Sequence, residues 1–169
     1  TFGGWWIGYQ STGDLGIDFT FNPLNQATAN PYRFESVVFN NGAADQYNTT
    51  MHVEVETSGS NVYTGSSYPM TIYTNTNDTL VTTTNFTPTS TGIHEIQFWA
   101  SSDSFPTTST ISRTTIVTDT IYGVDFDWGS DGANAGSGYY LGRSCGGQVL
   151  GNVFDIYIND NATSISFHV

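Results

Sequence analysis

The sequence predicts an all-β protein built from sandwich units, and three observations carry that prediction. Charged residues make up only 11% of the 169 residues, and Thr, Ser, Asn and Gly supply the polar surface instead. Threonine and the aromatics, the latter 15% of the chain, suit a pleated sheet, while Asn and Gly suit tight turns. Apolar residues recur at period two in short runs broken by Asn, Gly, Ser and Pro, which is a strand pattern. No window joins an apolar stripe at helical spacing to good helix formers. With 37% hydrophobic residues, the chain is long enough to bury at least one core.

Residues 1–30 form an aromatic, Gly-rich leading segment, with Gly3-Gly4-Trp5-Trp6 and Ile7-Gly8-Tyr9 at its start. A sandwich is expected over 31–118. Phe34, Ser36 and Val38 alternate with Glu35, Val37 and Phe39, and Asn40-Asn41-Gly42 supplies a turn. Met51 to Glu56 is a period-two strand with Met51, Val53 and Val55 inward. Further strands are expected over Pro69–Tyr73, Leu80–Thr84, Glu95–Ala100 and Ile111–Val117. Short strands at near-regular spacing with turn residues between them indicate a sandwich.

A boundary falls near Thr118-Asp119, and a second, incomplete sandwich is expected over 119–169. Strands are expected over Ile121–Trp128, Tyr139–Leu141, Val149–Ile158 and Ser164–Val169, with a glycine-rich loop over Gly129–Gly138. A unit of that size rarely buries enough surface by itself. The missing strands come either from a continuation of the chain or from a neighbouring subunit, as in fibres built by strand addition. Thr1 reads as a mature or internal start, with no charged-then-apolar leader before it.

The chain has no lysine and three arginines, for a formal net charge of −12. Nucleic-acid binding needs clustered cations to displace counterions, so that class is excluded. No apolar run reaches membrane-spanning length. The single cysteine, Cys145, has neither His nor Lys near it in sequence. It reads first as an inert buried thiol, then as a partner for a cysteine elsewhere, and last as a nucleophile.

Candidate sites each compete with a plainer reading. Asp125, Asp127 and Asp131, with Gly129 and Gly132, give D-x-D-x-G-x-D-G. Carboxylates in a loop that wraps tightly suit Ca²⁺, but the spacing is not that of an EF-hand, and the pattern equally fits the outer face of a strand. No other cofactor is indicated. His52, Glu54 and Glu56 share one side of a strand, which is either a metal-ligating row or a solvated one, and zinc would need more ligands. Trp5, Trp6, Trp99 and Trp128 with ten tyrosines suit stacking on glycans, or equally the filling of a core or a module interface. Asn48, Asn77, Asn85 and Asn161 open N-x-[ST] sequons. A G-x-S-x-G elbow, an H-E-x-x-H helix and a phosphate-binding glycine loop are all absent from the sequence, and the expectation is a non-enzymatic protein.

Gly16-Ile17-Asp18, the Tyr32–Gly42 strand and turn, and Phe86-Thr87-Pro88 through Gly92-Ile93, Ile96, Phe98 and Ser101-Ser102-Asp103 together resemble a CARDB-type immunoglobulin-like repeat over residues 16–117. Val117 to Asp125, Leu150 to Tyr157 and Thr163 to Ser166 resemble the start of a jelly-roll module of Bacteroidetes secreted proteins. The resemblance implies an immunoglobulin-like sandwich followed by a partial jelly-roll-like one, within a large surface protein exported by the type IX route. It also implies O-glycosylation at Thr79 and Thr120, in Asp78-Thr79-Leu80 and Asp119-Thr120-Ile121.

The functional expectation is a structural, spacer or adhesive module at the cell surface. Its partners are neighbouring sandwich modules of the same or adjacent chains, with glycans as a further class. The alternatives are a carbohydrate-binding accessory module of a secreted hydrolase and an extracellular filament subunit completed by strand exchange.

Overall fold

The computed structural model describes residues 21–108, 110–123 and 155–165, together with the backbone of 5–8. The elements in chain order are β1 (Trp5–Gly8), β2 (Phe21–Pro23), α1 (Leu24–Ala29), β3 (Glu35–Asn40), β4 (Gln46–Thr57), β5 (Ser60–Ser66), β6 (Met70–Ile72), β7 (Asn77–Val81), β8 (Gly92–Ser101) and β9 (Ile111–Thr118). The protein is the all-β sandwich its composition and alternation indicate.

One sheet has the order β1-β3-β7, and the other has β2-β9-β8-β4-β5 with β6 on the side of β4. All pairings are antiparallel except β2 with β9, where Phe21, Asn22 and Pro23 lie opposite Ile116, Val117 and Thr118 in parallel. The sheet of β1, β3 and β7 faces the sheet of β2, β9, β8, β4 and β5 across one core. The first strand is divided between the two sheets as β1 and β2, so the leading segment contributes to both.

Alternation sets the core. Phe34 and Val38, with Leu80 of β7, face Met51, Val53 and Val55 of β4 and Ile96, Phe98 and Ala100 of β8, all at most 5% exposed. Phe34 sits at the centre of an aromatic cluster, edge-on to Phe98 at 5.9 Å and stacked on Phe86 at 6.3 Å, offset geometries that ring quadrupoles favour. Tyr32 pairs its backbone with Phe86 (2.8 and 2.9 Å) and stacks on the same ring at 6.1 Å.

Four elements depart from the sequence expectation, β1 and β2 within the leading segment, α1 and β5, and β7 begins three residues before the strand expected over Leu80–Thr84. Leu24–Ala29 is a six-residue helix that starts after Pro23 and buries Gln26 and Ala27, too short to show an apolar stripe. β5 is an additional strand, joined to β4 by Ser58-Gly59 with φ of 50° and 73°. Positive φ at both positions makes a type I′ turn, whose twist matches that of a hairpin.

In the second unit, the strands expected within 124–154 and 166–169 lie outside the described residues. The expected strands reaching Ile158 and starting at Ser164 are not strands over 155–165, where the backbone forms no ladder. Ile156, Ile158 and Ile165 are 53%, 41% and 84% exposed. The alternation is there, but within the described residues no neighbouring strand pairs with this stretch, so period two by itself makes no sheet.

Candidate functional site: the outer face of β4 and β8, and the linker junction

His52, Glu54 and Glu56 do share the outer face of β4, where they are half-buried. Their partners across the ladder on β8 are Trp99, Gln97 and Glu95. The His52 ring stacks on Trp99 with centroids 5.5 Å apart and planes 18° from parallel, and its Nε2 lies 2.8 Å from Ser101 Oγ. Burial lowers the His52 pKa from its ordinary value. A serine hydroxyl on an imidazole is half of a nucleophile–base arrangement, but that chemistry needs an orienting group on the other ring nitrogen. Among the described residues none bonds His52 Nδ1. The pair links β4 and β8 across the ladder.

Among the described residues no group of three or more His, Cys, Asp or Glu side chains is placed to hold an ion. His94 lies on the neighbouring strand but on the opposite face, 1% exposed, with its ring 5.7 Å from Phe86 and Nδ1 3.1 Å from Gly92 O. Burial lowers its pKa, and the Gly92 carbonyl works against that shift. His168 lies outside the described residues, as do the candidate calcium ligands Asp125, Asp127 and Asp131, the thiol Cys145 and Trp128.

Exposed aromatics are scattered. Tyr47, Tyr68 and Tyr73 are 55%, 79% and 61% exposed, and none is in ring contact with another aromatic among the described residues. Thr79 is exposed on β7, which lies at the margin of its sheet, and its backbone N–H donates to Asp78 Oδ1 at 2.8 Å. Thr120 is exposed in the turn after β9. The sequon asparagines Asn48, Asn77, Asn85 and Asn161 are all exposed, and Asn48, with φ of 54°, donates to Asp103 Oδ2 at 2.9 Å.

The junction after β9 is more highly organised than the sequence indicates. Thr118 Oγ1 accepts from Ile121 N–H at 3.0 Å and donates to Ile121 O at 2.7 Å, which closes the turn. Gly123 then pairs with Phe21 in both directions, at 3.0 and 3.1 Å. A Cβ at position 123 would stand 3.1 Å from the Phe21 ring, so glycine suits this close approach. Strand β2 is thereby flanked by β9 on one side and Gly123 on the other.

Beside it, the Gln26 amide of α1 reaches residues 157 and 158. Its Oε1 accepts from Tyr157 N–H at 2.8 Å and Ile158 N–H at 3.2 Å, and its Nε2 donates to Ile158 O at 3.0 Å. Tyr122 donates its hydroxyl to Asp160 Oδ2 at 3.4 Å. The Asn161 backbone N–H, then the Asn25 side chain, hold the Asp160 carboxyl below its ordinary pKa. Sequence reasoning missed Gln26, whose partners lie 131 and 132 residues away.

No protein-family model matches the chain, and no curated protein matches it significantly.

Proposed function

We propose that this chain is a non-enzymatic structural, spacer or adhesive part of a larger secreted surface protein, whose work is to hold its shape under tension. The observation that carries this reading is the parallel pairing of β2 with β9. These are an early and a late strand of the first sandwich, and parallel neighbours leave a sheet at opposite ends. Tension along the chain therefore loads the rungs between them together, in shear, instead of opening them one at a time. The CARDB-type resemblance, the low charge and the Thr- and Asn-rich surface support a place outside the cell, and the type IX route and O-glycosylation at Thr79 and Thr120 belong to the same proposal.

Stretching the full chain by its two ends tests this. A spacer gives an abrupt rupture after a long lifetime under load, a property governed by the unfolding barrier. Gradual yielding at low force would sink the reading. The alternative, a carbohydrate-binding module, draws on Trp99 on the outer face of β8. It predicts glycan binding that Trp99→Ala removes.

A further inference from the structure

The stretch 155–165 is exposed throughout, and little apolar burial holds it in place. It is nevertheless fastened to α1 through a side chain that is itself 1% exposed. We propose that Gln26 is a latch: an interaction surface on α1 that takes a bent backbone segment, its occupant being residues 155–160 of the same chain.

The chemistry fits that occupant. A primary amide offers a carbonyl acceptor and N–H donors on one planar group. Here the acceptor takes two successive backbone N–H groups and the donor takes the carbonyl of Ile158. The latch reads backbone at 157 and 158, which fits Ile156, Tyr157 and Ile158 staying about half exposed, and the Asp160 carboxyl is a further partner of the Gln26 side chain. Opening it breaks three hydrogen bonds of one amide together, which favours the closed state. Tyr122 and Asp160 add a second fastening just beyond. The consequence for tension rests on the spacer reading: a pull arriving from beyond residue 160 enters the fold at α1, which continues directly from β2, as well as through the linker. The latch itself does not depend on that reading.

Hydrogen exchange on the full chain tests it, because exchange resolves local opening amide by amide. In the wild type the Tyr157 and Ile158 amides are protected. In Gln26→Ala they exchange about tenfold faster or more, as expected for losing bonds from a buried group, while the amides of β4 and β8 keep their protection. Gln26→Met keeps much of the side chain's length and volume without the amide, and it also speeds exchange at 157 and 158. Equal rates at 157 and 158 in wild type and Gln26→Ala, with β4 and β8 intact, would overturn the latch. So would unprotected 157 and 158 amides in the wild type. If Gln26→Ala loses protection in β4 and β8 as well, Gln26→Met decides: faster exchange at 157 and 158 supports the latch, and unchanged rates there overturn it. The exchange result stands or falls separately from the stretching experiment.

Discussion

Asn40 shows how much one polar side chain carries inside this sandwich. It is 1% exposed, its Oδ1 accepts from Gly42 N–H at 2.9 Å, and its Nδ2 donates to Ala44 O and Ile72 O at 2.9 and 3.0 Å. One residue thus builds the turn after β3 and ties it to β6. Asn40→Ala leaves those groups without this partner, and chemical denaturation should show a loss of about 2 kcal/mol or more. His94 makes a pH-dependent contribution at the same scale. Its folded pKa is lowered, so as pH falls below the unfolded value of about 6.5 the unfolded chain takes up a proton first and stability declines. His52 shifts in the same direction. His94→Gln should therefore lose less stability than the wild type between about pH 7 and about pH 5, as measured by denaturation at both. The Asn40-Asn41-Gly42 turn was legible in the sequence. The burial of Asn40 was not, because it depends on a carbonyl 32 residues away.

At the scale of elements, legibility followed burial on one face. β3, β4, β8 and β9 each bury alternate residues, and their period two is readable as such. β5 does not: Asn61, Val62 and Thr64 are exposed, and an outer strand with so little buried has no apolar alternation to reveal it. The available signal was its turn, Ser58-Gly59, since paired positive φ favours glycine. Gly59 has open space where a Cβ would stand, so any cost of substitution there comes from backbone conformation rather than collision. Gly59→Val should destabilise the hairpin by about 1–2 kcal/mol, and Gly59→Asn by clearly less, because Asn tolerates the left-handed region. Equal losses for the two would place the strain elsewhere. α1 was illegible for a different reason: over six residues, helical and strand periodicities cannot be told apart.

For the whole molecule, the sequence announced a sandwich but not how its early and late parts meet. The composition that gave the fold class is spread along the chain, whereas the junction depends on single contacts between distant residues: Phe21 with Gly123, and Gln26 with Tyr157 and Ile158. Together with the parallel β2–β9 pair, these contacts gather the two parts of the chain at one corner of the fold. The most direct test of the spacer proposal compares two directions of pulling on the same protein. Handles at the chain ends load β2 against β9 in shear, while handles at Thr50 and Ser66 peel β5 from β4 rung by rung. The spacer proposal predicts that the end-loaded chain survives tension that quickly opens the β4–β5 pair. An end-loaded chain that gives way at no higher force than the peeled hairpin would contradict it.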